Sequence, residues 1–188
     1  MSLPSKEELL LEIFFNQPTK QWHFKELKEK TKLADSKLAK WLNKFQKENL
    51  ILRNKPEKKM PHYISNRFNI HFQNKKKLFA MQKLYESGLL DHLASLEKPK
   101  LIVLFGSFVS WNWQEKSDVD LFIYGDDSEL KTFEFEKKIN REIQVFVCED
   151  EKKIKQFGSE LIRNILRGTI IKGELPHEVL SYAGIKRT

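Results

Sequence analysis

The stretch LIVLFGS (101–107), followed by SDVDLFIY (117–124), decides the fold of this chain. Both segments contain short runs of Leu, Ile, Val and Phe bounded by Gly, Ser or Asp, which is the pattern of buried strands. We therefore expect the chain to turn sharply at Gly106-Ser107, where the first strand ends. Asp118 and Asp120 are two residues apart on the second strand, so their carboxylates project from the same face of the sheet.

The combination of a glycine, a hydroxyl and paired carboxylates suits metal-assisted phosphate chemistry. Gly106 lets the backbone approach a phosphate closely, while the Ser107 hydroxyl and the N-terminus of a following helix would bind phosphate oxygens. Asp118 and Asp120 would hold divalent cations. The alternative is a plain loop with an N-capping serine and solvated aspartates, but the strands on both sides favour the phosphate interpretation.

The spacing Gly106-Ser107-x10-Asp118-x-Asp120 resembles the signature of polymerase-beta-like nucleotidyltransferases, in particular their minimal domains. The resemblance covers about residues 78–173. It implies a small α/β domain with a mixed sheet, in which Gly106 and Ser107 hold the triphosphate of a nucleoside triphosphate. It also implies that Asp118 and Asp120 bind Mg²⁺ for attack on the α-phosphate, with a third acid from a neighbouring strand.

Two segments depart from the pattern of that family. The position that resembles the third acid is Gln144, within REIQVFV (141–147), while Glu142 points to the same face by strand alternation and is an alternative metal ligand. An amide binds a cation through its carbonyl oxygen but cannot act as a base toward an attacking hydroxyl. After Ser107, where relatives often carry Ala-Arg-Gly, this chain has Val109-Ser110-Trp111. The sequence thus predicts the fold and leaves turnover open.

Composition and charge indicate two modules. The chain has 188 residues and a formal charge of +8, enough for one large or two small domains. Residues 1–99 contain 20 Lys and Arg against 11 Asp and Glu, whereas residues 100–188 contain 14 against 15. The positive charge therefore lies in the half without the Gly-Ser and Asp motifs, which suggests that this half meets a polyanion.

Composition also sets expectations about location. Cys148 is the single cysteine and excludes an intramolecular disulfide. No apolar run has the length of a membrane span, and the N-terminus lacks the pattern of a secretory signal. We therefore expect a cytoplasmic protein that does not bind a membrane.

The basic half shows the order of helices and hairpin that resembles the winged helix-turn-helix domains of prokaryotic regulators. The first helix is expected to turn Leu9, Leu10, Ile13 and Phe14 toward the core. The third helix is expected to be capped by Asp35 or Ser36. The predicted elements are helices over about Lys6–Asn16, Phe24–Lys32 and 36–48, and a hairpin of LILR (50–53) and HYISNRF (62–68) around the loop NKPEKKMP (54–61).

The third predicted helix has the pattern of a recognition helix. Its apolar stripe, Leu38, Trp41, Leu42 and Phe45, would pack in the core, and its opposite face would offer cations and an amide to a DNA groove. Cations on the hairpin would contact phosphates of double-stranded DNA as a wing. The alternative is a solvated lysine face, or a surface for a protein. The candidate DNA-binding residues are Lys37, Lys40, Asn43, Lys44 and Lys47 on the helix and Arg53, Lys55, Lys58 and Lys59 on the hairpin.

A long helix is expected to join the modules. It would begin at Asn74, place Leu78, Met81, Leu84, Tyr85 and Leu89 on one side, and reach about Leu96. The lysines at positions 75–77 fit a linker or a solvated helix face, and an extension of the basic surface is the alternative. The expected domains are 1–72 (winged helix), 73–98 (linking helix) and 99–188 (nucleotidyltransferase-like), and the later elements are helices over about 128–140 and 151–166, strands over 142–147 and 169–173, and a last helix over 176–182.

The predicted fold class is therefore α+β, and the sequence leaves three functions open. The first is a Mg²⁺-dependent nucleotidyltransferase that acts on an unknown acceptor. The second is a DNA-binding regulator whose transferase domain is degenerate and serves ligand sensing or dimerisation, with a second copy of the chain as partner. The third, by resemblance to the antitoxins of toxin–antitoxin pairs, makes a protein the acceptor.

Overall fold

The computed structural model describes residues 5–182 and divides into two compact units. Within the described residues, unit 1 comprises 5–78 together with 111–116, and unit 2 comprises 79–110 and 117–182. The division at Leu78 and Phe79 lies inside the segment expected to form the linking helix. The short segment 111–116, between the Gly-Ser and the paired Asp motifs, is part of unit 1.

Unit 1 contains the predicted three helices and hairpin. The hairpin strands are antiparallel, and a short additional strand pairs with the second of them, giving the order β1-β3-β2. Periodicity could not reveal β1, because two residues are too few to show alternation. The elements are α1 (Lys6–Asn16), β1 (Trp22–His23), α2 (Phe24–Thr31), α3 (Asp35–Lys47), β2 (Ile51–Asn54) and β3 (His62–Ser65).

Two expected details of unit 1 are wrong. Helix α1 buries Leu10, Leu11, Phe14 and Phe15, whereas Leu9 is 40% exposed and Ile13 is only partly buried. The run LLLEIFF supplies apolar residues on adjacent helical positions, so spacing alone could not choose the buried face. The N-cap of α3 is Ala34 in an extended conformation, and the first helical residue, Asp35, forms an ion pair with Lys28 at 2.7 Å.

Helix α4 (Ile70–Ser87) is separated from α5 (Leu89–Ser95) by Gly88, whose φ of +83° ends the first helix. The single long helix expected to reach Leu96 is therefore interrupted. Its expected apolar side is also partly wrong, since Leu78 and Tyr85 are 67% and 65% exposed. The buried positions of α4 recur at a helical spacing of three or four: Phe72, Lys76, Ala80, Leu84 and Ser87.

The segment 111–116 packs within unit 1 around Trp113, which is 1% exposed. The Trp113 ring lies 6.0 Å from the ring of Phe15, between centroids, in an edge-to-face arrangement. Lys76 is buried, donates its Nζ hydrogen to the Trp113 carbonyl oxygen and lies 4.5 Å from the ring centroid. The expectation that the lysines at 75–77 are solvated is therefore wrong for Lys76. Its ammonium group contacts the ring and the carbonyl oxygen of Trp113.

Unit 2 is built on the predicted mixed sheet, with the strand order β6-β5-β4-β7. Strands β5 and β6 are parallel and the other pairs are antiparallel. Both faces of β4 and β5 are buried, which explains why their sequences are continuously apolar. The elements are β4 (Pro99–Phe105), β5 (Val119–Gly125), α6 (Phe133–Ile139), β6 (Ile143–Cys148), a 3₁₀ helix (Glu151–Gln156), α7 (Ser159–Leu166), β7 (Thr169–Gly173) and α8 (His177–Tyr182).

Two predicted helices of unit 2 are shorter than expected. The segment before α6 is a turn in which the Asp126 carboxylate accepts a hydrogen bond from the backbone N–H of Ser128 at 2.7 Å. The expected helix over 151–166 is interrupted at Phe157, which is extended, and at Gly158, the N-cap of α7. No helix among residues 5–182 is long and apolar enough to cross a membrane.

Candidate functional site

The candidate site begins at Gly106, directly after β4. Its φ is +81°, a conformation that side-chain-bearing residues rarely adopt. A Cβ atom built on Gly106 would lie 1.9 Å from Oδ2 of Asp120 and 2.8 Å from its Cγ. The backbone conformation and the neighbouring carboxylate therefore both require glycine, and the Asp120 carboxylate lies against the Gly106 backbone.

Strand pairing explains why this glycine and this carboxylate meet. Phe105 is the antiparallel partner of Asp120, so the residue that follows Phe105 lies beside the Asp120 side chain. Val119 is fully buried, whereas Asp118 and Asp120 on either side of it are partly exposed. Strand pairing therefore places Asp120 beside the Gly-Ser turn, and Asp118 directly precedes the strand.

The surroundings of the Asp120 carboxylate disfavour its negative charge. Burial, and then the negative charge of Asp118, raise the pKa of Asp120 above its ordinary value. Both effects disfavour the ionised form of Asp120 in the folded protein. A cation between the two carboxylates would offset the repulsion and the loss of hydration.

The donor set fits one Mg²⁺-type ion shared with a phosphate. No cluster of three or more Asp, Glu, His or Cys side chains suited to a metal occurs among residues 5–182, so the protein supplies two carboxylates at this place. Mg²⁺ is typically held by one or two carboxylates together with water and substrate phosphates.

Strand register places the candidates for the third ligand. Gln144 is the parallel partner of Asp120. Glu142 precedes β6 and accepts a hydrogen bond through its backbone carbonyl from the N–H of Val119 at 2.9 Å. Both side chains are exposed. Gln144 therefore lies beside Asp120 in the strand register, and Glu142 directly precedes the first parallel pair, Val119 with Ile143.

The segment after Ser107 differs from the expectation. Residues 106–109 form a turn, and the Ser107 carbonyl accepts hydrogen bonds from the backbone N–H and the hydroxyl of Ser110, at 3.1 and 2.7 Å. The predicted helix after Ser107 is wrong, since the described chain between β4 and β5 contains no helix. Any phosphate would therefore meet the Ser107 hydroxyl and turn amides instead of a helix N-terminus.

Arg141 is a residue of this site that sequence reasoning missed. Its Nη1 donates a hydrogen bond to the Ser117 carbonyl at 2.8 Å, and its guanidinium carbon lies 4.7 Å from the ring centroid of Phe108. The pattern suggested that an arginine was lacking because none follows Ser107. The Arg141 guanidinium instead reaches Ser117 and Phe108 from the segment just before β6. Arg141 is more than 30 residues from Ser107 in the sequence, so the Gly-Ser motif could not indicate it.

The candidate DNA-binding residues lie on exposed surface of unit 1. The five on α3 and the four on or beside the hairpin, as predicted, are all exposed. One of them is partly committed within the protein, because Lys44 Nζ lies 2.6 Å from Oε1 of Glu7, and this hydrogen bond raises the pKa of Lys44. Lys40, one helical turn earlier, therefore reports on DNA contact more simply than Lys44 does.

We expect Asp120→Asn to be more stable than the wild type at neutral pH when divalent cations are removed. Because the pKa of folded Asp120 is raised above 3.8, the folded state holds this proton more tightly than the unfolded state does. The contribution of Asp120 to the free energy of unfolding of the wild type is thus greatest at low pH, and it falls as the pH rises through the titration range of Asp120. Thermal unfolding followed by circular dichroism in EDTA should show the two proteins converging as the solution is acidified.

The matched control is Asp126→Asn. Hydrogen bonds from Ser128 lower the pKa of Asp126, so this carboxylate stabilises the folded state above its titration range and the variant should show the opposite trend with pH. Added Mn²⁺ should stabilise the wild type and not Asp120→Asn. An Asp120→Asn variant that is less stable than the wild type across the whole pH range would contradict this description of the site.

Comparison with known families agrees with the geometry. Residues 88–175 match the family described as polymerase beta, nucleotidyltransferase. This range contains all four strands of the mixed sheet, the Gly-Ser turn and both aspartates, and it does not include the helices and hairpin of unit 1. No curated protein and no solved structure matches the chain. Residues 88–175 are therefore similar to the nucleotidyltransferase domain of the polymerase beta family.

Proposed function

We propose that the chain is a Mg²⁺-dependent nucleotidyltransferase that moves a nucleotidyl group from a nucleoside triphosphate to an acceptor hydroxyl. The observation that supports this proposal is the contact between the Gly106 backbone and the Asp120 carboxylate, with Asp118 beside it. The arrangement combines a surface that admits phosphate with ligands for a divalent cation. The match of residues 88–175 to the polymerase beta family supports the reaction class.

Each residue of the site has a role that follows from its chemistry. Gly106 leaves room for the Asp120 carboxylate against the backbone, and the Ser107 hydroxyl donates to a phosphate oxygen. Asp118 and Asp120 hold the cation, which when bound stabilises charge on the attacking and leaving oxygens of an in-line displacement. The acceptor oxygen forms the new bond to the α-phosphorus, and pyrophosphate leaves.

The third ligand position limits the proton chemistry of the site. Gln144 can bind the cation through its amide oxygen but cannot remove the proton of the acceptor hydroxyl. Glu142 directly precedes β6 and is the nearest carboxylate to Gln144 along this segment of the chain. We propose it as a further ligand or as the base. Turnover is therefore expected to depend on an acceptor hydroxyl whose proton is lost readily to solvent or to Glu142.

The transfer reaction is tested with each of the four nucleoside triphosphates labelled at the α-phosphate, in Mg²⁺, with oligonucleotides and the protein itself as acceptors. We expect label transfer by the wild type and a loss of about 100-fold or more in Asp118→Asn, because a charge that holds the cation is removed. Asp91→Asn, which changes an exposed residue of α5, is the control and should transfer normally. A wild type that is inert with all four triphosphates, and also with protein acceptors from its genomic neighbourhood, would refute the transferase.

A second candidate is a DNA-binding regulator with a degenerate transferase domain. Two observations favour it: Gln144 lies at the register position of the third acid, and a turn replaces the helix after Ser107. The exposed cations of α3 and of the hairpin supply surface charge for phosphate contacts, and we propose double-stranded DNA as their partner. In this case the Gly-Ser and Asp residues would bind a nucleotide without transferring it.

DNA binding is measured by fluorescence anisotropy over a range of salt concentrations. We expect Lys40→Ala to weaken binding to all sequences and to lower the slope of log affinity against log salt by about one, as for a lost phosphate contact. Lys152→Ala, an exposed lysine of unit 2, is the control and should leave both unchanged. Binding that does not depend on salt, or an equal effect of both variants, would show that α3 does not contact DNA.

A further inference from the structure

We propose that Arg141 is a positioning residue whose guanidinium holds the turn after Ser107 and the segment before Asp118 in one arrangement. The proposal rests on the proposed function, because these two segments carry the phosphate-binding hydroxyl and a metal-binding carboxylate. Arg141 contacts both: it donates to the carbonyl of Ser117, and its guanidinium lies near the ring of Phe108. Ser117 directly precedes Asp118, and Phe108 directly follows Ser107.

Backbone hydrogen bonds hold Arg141 in place, so its side chain reaches the two segments from a fixed position. The N–H of Arg141 donates to the carbonyl of Glu136 at 3.2 Å, at the end of α6. The Glu136 carboxylate accepts a hydrogen bond from the N–H of Ile143 at 3.0 Å. Asn140, with a φ of +54°, ends the helix between them. Helix α6 and the start of β6 therefore hold Arg141 from both sides.

A guanidinium is suited to this double contact, whereas an ammonium is not. Its planar group can donate in the plane to the Ser117 carbonyl while its face lies against the Phe108 ring. Phe108 is 1% exposed, so the ring offers a fixed surface for that contact. A lysine could reach one of the two partners but could not serve both with the same geometry.

The position of Asp118 just outside the strand explains why the hydrogen bond from Arg141 to Ser117 matters. Asp118 and Asp120 lie two residues apart, so two like charges have to be held close together where β5 begins. Asp118 lies just before β5, so strand pairing restrains it less than it restrains Asp120. The hydrogen bond from Arg141 to Ser117 restrains this segment before a cation is bound.

The test compares the full-length wild type with Arg141→Ala, Arg141→Lys and the control Arg163→Ala, an exposed arginine of α7. Hydrogen–deuterium exchange of the ligand-free proteins reports on residues 106–110 and 117–120. Electron paramagnetic resonance of free Mn²⁺ measures Mn²⁺ binding in the presence of inorganic triphosphate. The Mn²⁺ titrations are repeated with millimolar guanidinium chloride or an equal concentration of NaCl, since Arg141 lines a surface cavity of about 350 Å³ and its removal leaves space for a guanidinium ion.

We expect Arg141→Ala to exchange faster in both segments and to bind Mn²⁺ roughly 10- to 100-fold more weakly, while the protein stays folded with only a small fall in its unfolding temperature. Arg141→Lys should recover only part of the loss, and guanidinium should restore binding to Arg141→Ala alone. Unchanged exchange in both segments would overturn the proposal whether or not the wild type binds Mn²⁺. Faster exchange across all of unit 2 without guanidinium rescue would also overturn it, as a merely structural effect.

The same measurements distinguish failure of the positioning role of Arg141 from failure of the proposed transferase function. If the wild type does not bind Mn²⁺ with triphosphate, while Arg141→Ala loosens only the two segments, the positioning role is supported and the transferase is contradicted. If the wild type binds and Arg141→Ala binds equally well with unchanged exchange, the transferase stands and Arg141 has no positioning role.

Discussion

The close approach of the Gly106 backbone to the Asp120 carboxylate is the constraint on which the site depends. It arises because β4 and β5 pair antiparallel with Phe105 opposite Asp120, and because Gly106 adopts a positive φ that brings the turn back over this carboxylate. The contact places the turn that carries Ser107 beside the strand that carries Asp120. It also buries Asp120 in part, and burial is the main reason for its raised pKa. One piece of backbone geometry thus sets the shape and the charge of the site.

Much of the fold could be predicted because unit 2 has a sheet buried on both faces. Such strands are continuously apolar and end at Gly or Asp, so β4 and β5 were evident in LIVLF and LFIY. The exact faces of α1 and α4 could not be predicted, since apolar residues occupy adjacent positions in both helices and only packing selects among them. Lys76 shows the same limit: a lysine within a basic run is buried because Trp113, distant in sequence, lies against it.

The candidate site was predictable where it follows from local spacing and not where it follows from contacts distant in sequence. The motif residues lie at the end of β4 and the start of β5, which are consecutive strands: Gly106, Ser107, Asp118 and Asp120. Their spacing in the sequence was therefore enough to predict that they lie near one another. The turn after Ser107 was not predictable, because it is closed by the Ser110 hydroxyl and is followed by a segment, 111–116, that belongs to unit 1. Arg141 comes from another element and has no motif of its own. The proposed DNA contacts of α3 stay a prediction from exposed charge.

The central claim is that the Gly106–Asp120 contact creates a site for a divalent cation and a nucleoside triphosphate. Calorimetric titration of the wild type and of an Asp118→Ala/Asp120→Ala double variant with non-hydrolysable analogues of the four triphosphates, with and without Mg²⁺, tests it most directly. The account predicts saturable binding of at least one analogue that requires Mg²⁺ in the wild type and is lost in the double variant. Equal binding by both proteins, or no Mg²⁺-dependent binding by a folded wild type, would contradict it.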